Sequence, residues 1–140
     1  MLIRSRAPVR IDFAGGWTDV ALFTKEAKGI VVNAAINIYS YSTISYNPTD
    51  NQATSPNRIL DRSVRIYSAD FDTFFEAADI RKLEYDGNID LIKAAIRKMS
   101  IETGGFDLIT QSIAPPSSGL GTSAAMGVAL VGVLSTMTVS

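Results

Sequence analysis

Residues Pro115 to Ala125 read PPSSGLGTSAA: two prolines, two glycines and four hydroxyl side chains set between two apolar runs. Gly119 and Gly121 permit a positive φ and leave no Cβ in the way of an approaching anion. The uncharged run behind them predicts a helix from about Thr122, whose first amide hydrogens and positive dipole end would face that anion. Ser117, Ser118, Thr122 and Ser123 add hydroxyl donors, and a hydroxyl is also a magnesium ligand beside a triphosphate. Residue types alone leave two readings open: a helix with a serine-rich cap after a proline turn, or a cradle for phosphate. The stretch is neither the common phosphate-binding loop, since no lysine follows Gly121, nor the dinucleotide fingerprint, since only GLG is present.

A second glycine-bearing stretch bears on the choice. Arg6 to Val20 read RAPVRIDFAGGWTDV, a strand-like segment that carries Arg10 into two adjacent glycines, an aromatic and a carboxylate. Arg10 can polarise a phosphate or a substrate hydroxyl, Asp19 can hydrogen-bond neighbouring sugar hydroxyls, and Trp17 can stack on the apolar face of a sugar ring. The plainer alternatives are a solvated strand arginine, an aspartate that caps a short helix, and a tryptophan used in packing.

Composition narrows the chemistry. A chain of 140 residues can bury a core of its own, and 46% hydrophobic with 19% charged residues is a globular balance. The net charge of −1 gives no general pull toward nucleic acid or an anionic membrane, so an anion site has to be built locally. The lack of an interleaved basic and aromatic patch is a second expectation against nucleic acid. There is no cysteine and no histidine. Carboxylates, Lys, Arg, hydroxyls and backbone amides must therefore carry whatever chemistry occurs. The opening MLIRSRAPVR lacks the apolar core of a secretory signal, which makes a cytoplasmic location the expectation. Ala124 to Leu134 are uncharged but too short a run for a bilayer, so a buried helix is expected there and no membrane span.

Along the chain, Leu2 to Phe13 read as a strand in which Pro8 argues for an edge position or a break. Asp19 would cap a short helix over Val20 to Glu26. The run from Gly29 to Tyr46 is strand-like, with Ile38, Ser40, Ser42 and Ile44 on one face and Tyr39, Tyr41 and Thr43 on the other. Asn47 to Asn57 read as a polar turn, and the segment from Arg62 to Asp70 as a strand again. Helices are expected over Asp72 to Ala78 and over Asn88 to Ser100. In the second, Asn88 caps and Ile89, Ile92, Ala95, Ile96 and Met99 form the apolar face. Gly105 to Ile113 alternate as a strand. The order suggests an α+β domain.

Together, APVRIDFAGGWTD and PPSSGLGTSAA, in this order, resemble the first and second signature motifs of the GHMP kinases, the superfamily of galactokinase, homoserine kinase, mevalonate kinase and phosphomevalonate kinase. The resemblance spans Ile3 to about Leu134. It implies an ATP- and magnesium-dependent phosphotransferase whose N-terminal domain has the ribosomal protein S5 domain 2-like α+β fold with a left-handed βαβ element. Carried over residue by residue, Pro116, Ser117, Ser118, Gly119, Leu120, Gly121, Thr122 and Ser123 would wrap the ATP phosphates, with Ser123 at the position that helps to bind magnesium. Arg10 matches the basic residue beside the phosphoryl acceptor, the catalytic candidate of this chain. Asp19 matches the carboxylate that holds the sugar, in a substrate loop of Gly15, Gly16, Trp17, Thr18 and Asp19.

Two departures refine this expectation. Galactokinases carry a Glu-His pair where this chain has Gly16 and Trp17, and AGGWTD is more similar to the branch of D-glycero-D-manno-heptose 7-phosphate kinase and L-fucokinase. A heptose phosphate phosphorylated at the anomeric position is therefore the expected acceptor. Members of the superfamily are also longer, with a third glycine-rich motif and a catalytic aspartate beyond the second motif. The chain thus reads as an incomplete N-terminal domain over residues 1–140, with the C-terminal domain absent and little or no activity alone. Self-association through the apolar helix from Met126 to Leu134 would follow. The alternative is a non-catalytic nucleotide-binding or assembly module.

Overall fold

A computed structural model describes residues 1–46 and 61–139. The expected polar turn at 47–57 lies outside the described residues. Five strands form one sheet in the order β1-β2-β5-β3-β4, where β1 is Leu2–Ala14, β2 Val32–Tyr46, β3 Val64–Ser68, β4 Thr73–Ala77 and β5 Phe106–Ser112. The neighbours are antiparallel except β3 and β5, which run parallel and are joined by way of β4, a 3-10 turn at Ile80–Lys82 and a helix. The helices are α1 (Ala21–Thr24), α2 (Asp90–Lys98) and α3 (Thr122–Val139).

Pro8 behaves as a proline in a strand must. β1 is an edge strand, and its register with β2 slips between Pro8 and Arg10. In β2 the expected inner face is observed, with Ser40, Ser42 and Ile44 buried. The expected helix over Asp72 to Ala78 is instead β4. Asp72 takes a positive φ of 46° and turns the chain back on β3, so that Thr73, Phe75 and Ala77 alternate inward while Phe74 and Glu76 point out. A period of two that buries Phe75 against the core prevails over the helix propensity of Glu and Ala.

Helices α2 and α3 cover one face of the sheet. Ile92 and Ile96 of α2 meet Met126, Leu130, Val133 and Leu134 of α3 over Ile44, Val64, Ile66 and Leu108 of the strands, all buried. The expected apolar face of α2 holds, but Asn88 does not cap it. Ile89 occupies the cap position in the left-handed region, and Asp90 instead accepts the amide hydrogens of Asp86 and Gly87. Likewise Asp19 caps nothing: α1 begins after Val20, makes no side-chain cap bond, and runs only to Thr24 rather than from Val20 to Glu26.

Met126, Ala129, Leu130, Val133 and Leu134 of the apolar helix are buried, while Val128 and Val131 are exposed. No helix among the described residues is long and apolar enough to cross a membrane. On the open face of the sheet, Arg4 lies over the Tyr41 ring and Arg6 over the Tyr39 ring, at 4.4 and 4.6 Å from the ring centres. Basic and aromatic residues are thus interleaved there, contrary to the sequence expectation, because cross-strand pairing of β1 with β2 aligns residues far apart in the chain. Each of these tyrosines already has a guanidinium over one ring face.

Candidate functional site

The two glycine stretches meet. Arg10 donates its amide hydrogen to the carbonyl of Leu120 at 3.0 Å, which ties β1 to the loop that precedes α3. Its side chain crosses Gly121: a Cβ placed there would stand 3.0 Å from an Arg10 guanidinium nitrogen. Gly121 also has φ +70°, so a larger residue would be strained and crowded at once. The loop takes three positive φ values, at Ser117, Gly119 and Gly121. Leu120 packs against Ala7, Val9, Ala114, Ala125 and Ala129, a cluster of small residues that fixes the loop to β1 and α3.

The first intrahelical bond of α3 runs from the Ala125 amide to the Gly121 carbonyl. The amides of Thr122, Ser123 and Ala124 therefore come before the helical ladder and point out of its N-terminal end. The hydroxyls of Ser118 and Thr122 stand 3.4 Å apart beside them. Ser40 reaches the Ser112 hydroxyl at 3.1 Å beneath the same end of the helix. Positive-φ backbone, free helical amides, a dipole end and hydroxyls form a donor set suited to phosphate oxygens. Among the described residues no group of three acidic side chains could hold a metal. A hydroxyl oxygen on the loop is the kind of ligand that magnesium takes beside phosphate oxygens.

A cavity of about 230 Å³ opens beside the loop. Pro116, Ser117, Thr122 and Ser123 form its loop side, Ser68, Asp70 and Thr110 a polar wall, and Ile89, Leu91, Ile92 and Met126 an apolar one. Ser68 and Thr110 come from the parallel pair β3 and β5, near their C-terminal ends. Asp70 is held there by the Ser112 amide hydrogen, which it accepts at 2.6 Å. None of this wall was legible as a site in the sequence. A carboxylate at the end of one parallel strand was the available signal, and it required knowing which strands pair.

Asp12 is a second residue that the motif reading passed over. It accepts a hydrogen bond from Arg10 Nε at 3.0 Å, two positions along the same strand, and lies against Gly16. The alternation in R-I-D carried that signal. In the first loop, Gly15 has φ +74° and backs onto the Ile30 carbonyl so closely that no side chain fits. Thr18 donates its hydroxyl to the Gly15 carbonyl at 2.7 Å and lies 3.3 Å from that of Ile30, which closes the loop on itself. Trp17 is 82% exposed, with φ 75°, and Asp19 is also exposed. No hydrogen bond or ion pair joins Trp17 or Asp19 to Arg10 or to the 115–123 loop among the described residues. The structure therefore joins Arg10 to Leu120 and Gly121 and leaves Trp17 and Asp19 facing solvent.

Comparison with known proteins bears on the same stretches of the chain. Residues 90–138 match the model of the GHMP kinases N terminal domain, a span that holds α2, β5, the loop and α3 up to its penultimate residue. Over 133 residues the chain is 28% identical to D-glycero-alpha-D-manno-heptose 7-phosphate kinase of Campylobacter jejuni, covering 92% of this chain and 36% of that protein. It is also 28% identical over 127 residues to the bifunctional fucokinase/GDP-fucose pyrophosphorylase of Arabidopsis thaliana, covering 89% of this chain and 12% of that one. Among solved structures, a D-glycero-D-manno-heptose 1-phosphate kinase from Bacteriodes thetaiotaomicron superposes with a TM-score of 0.80 at 30% identity, over 100% of this chain and 43% of that one. Lactococcus lactis galactokinase, at 23% identity and a TM-score of 0.62, shares the fold. The chain thus spans about a third of the length of the curated heptose kinase it matches. In sequence and in fold, the chain resembles the N-terminal part of the GHMP kinases, and within them the heptose phosphate kinases and fucokinases.

Proposed function

We propose that this chain is the nucleotide-binding part of an ATP-dependent sugar kinase, acting on a sugar or sugar phosphate, with D-glycero-D-manno-heptose 7-phosphate phosphorylated at its anomeric hydroxyl as the preferred acceptor. The observation that carries the reading is the contact of Arg10 with Leu120 and Gly121, which brings the acceptor-side motif onto the phosphate-side loop. Amides and hydroxyls from Ser117 to Ser123 hold the phosphate chain, and the cavity between Ile89, Leu91 and Asp70 takes the nucleoside. Bound Mg-ATP supplies the phosphoryl group and the metal charge that offsets it. Arg10, aimed by Asp12, then faces the junction between phosphate and acceptor, where a fixed cation stabilises charge that moves during transfer. Gly16, Trp17 and Asp19 form the acceptor side of this arrangement.

The same proposal places the catalytic base and the rest of the acceptor site in sequence C-terminal to Ser140, in keeping with the share of its relatives that the chain covers. The 140 residues alone then bind Mg-ATP and transfer little or no phosphate. The test joins the chain to its C-terminal sequence and measures ATP-dependent phosphorylation across hexoses, fucose, heptose phosphates, mevalonate and homoserine. Turnover on heptose 7-phosphate supports the assignment. Turnover on mevalonate or homoserine, with none on any sugar, overturns it.

A further inference from the structure

Lys93 is the largest charged side chain in the interior. It is fully buried on α2, and its Nζ lies 2.6 Å from Asp86 Oδ1, 3.9 Å from Asp90 Oδ1 and 4.6 Å from the centre of the Phe75 ring. An ammonium taken out of water is retained only where its partners are well placed. Here both anionic partners belong to the turn at residues 86–90 that leads into α2. Asp86 also accepts the Asn88 amide hydrogen at 2.9 Å, and Asp90 accepts those of Gly87 and Asp86 at 3.0 and 3.2 Å. The turn holds Ile89 at φ 49°, a left-handed conformation that a β-branched residue adopts only when its surroundings enforce it. Ile89, with Leu91 and Ile92 behind it, is the apolar wall of the cavity beside the phosphate loop.

We propose that Lys93 is a positioning residue for the nucleoside: through Asp86 and Asp90 it locks the 86–90 turn and so sets the place of Ile89 and Leu91 against the ligand. The proposal rests on the reading of the cavity as a nucleotide site. It assigns Lys93 no contact with the phosphates, and a loss confined to ATP over tripolyphosphate separates it from a residue that only supports the fold. Removing the clamp loosens the grip on the base and sugar of the nucleotide while the loop keeps its hold on the phosphate chain.

The test is calorimetric titration of the 140-residue chain and its variants with Mg-ATP and, separately, with magnesium tripolyphosphate. Lys93→Met and Asp86→Asn are both expected to weaken ATP roughly tenfold and to leave tripolyphosphate unchanged, because one wall of the site loses its fixed geometry. Amide exchange at Gly87 and Asn88 is expected to quicken in both. Should Lys93→Met fail to fold, Asp86→Asn carries the test, since Asp86 is exposed, the asparagine oxygen can still accept from Lys93, and Asp90 keeps a negative charge 3.9 Å from the ammonium. Unchanged ATP affinity in a folded variant overturns the proposal, as does an equal loss for ATP and tripolyphosphate. A parent chain that binds neither ligand removes the nucleotide reading itself, and one that binds tripolyphosphate as tightly as ATP removes the nucleoside cavity.

Discussion

Gly121 and Arg10 show how much of this molecule depends on single positions. Gly121 combines φ +70° with a guanidinium nitrogen 3.0 Å from where a Cβ would sit. Gly121→Val is therefore expected to push Arg10 aside and abolish Mg-ATP binding to the chain. The fold is expected to lose about 1–3 kcal/mol from the strained backbone, measured by urea unfolding. Arg10 is different, because its side chain is partly exposed and its ion pair with Asp12 lies near the surface. Arg10→Ala is expected to leave stability within about 0.5 kcal/mol while lowering turnover in the proposed full-length kinase about 10²-fold or more. Asp12→Asn should produce a smaller loss in the same direction, since it disturbs the aim of Arg10 and not its charge. Equal turnover by wild type and Arg10→Ala would remove Arg10 from the transfer step.

At the level of the elements, sequence periodicity was a good guide wherever one face is buried and a poor one where turn geometry decides. β1, β2, β5 and α3 are legible from alternation, β-branching and a run of small apolar residues, because burial against one core enforces those patterns. β4 is not, since five residues are too few for a period to show and the decision belongs to Asp72 at the hairpin. The caps failed for a related reason. Asp19 and Asn88 are of the right type, but Asp86 and Asp90 organise the turn before α2 through backbone amides that the sequence does not reveal. Of the candidate site, the 115–123 loop and Arg10 were legible from local motifs. Asp70 and Thr110 were not, because they come to line its cavity only through the parallel pairing of β3 with β5. The shared core gives this level its own prediction. Leu130 is fully buried at the contact of α3 with the sheet, and Leu130→Ala is expected to cost about 2–5 kcal/mol in urea unfolding.

For the molecule as a whole, charge and stability are linked through its carboxylates, because the chain has no histidine. Asp79 is held well below the usual carboxylate range by hydrogen bonds from the Arg81 side chain and backbone, and Asp86 is lowered by the Lys93 ammonium and the Asn88 amide. Asp61 is lowered by the amide and hydroxyl of Ser63. A carboxyl with a depressed folded pKa contributes stability above its unfolded value, near 3.9, and loses it as pH falls toward the folded value. The melting temperature is therefore expected to be level from roughly pH 5 to 8 and to fall below about pH 4. A step between pH 6 and 7 would contradict this assignment. Over the whole chain, the proposed function turns on the 115–123 loop holding the phosphates of ATP where the two motifs meet. The most direct measurement is titration of the 140-residue chain with Mg-ATP beside its Gly121→Val variant. Saturable one-to-one binding by the parent chain, lost in a variant that remains folded, is the predicted result. Absence of binding by the parent, or equal binding by both, would contradict it.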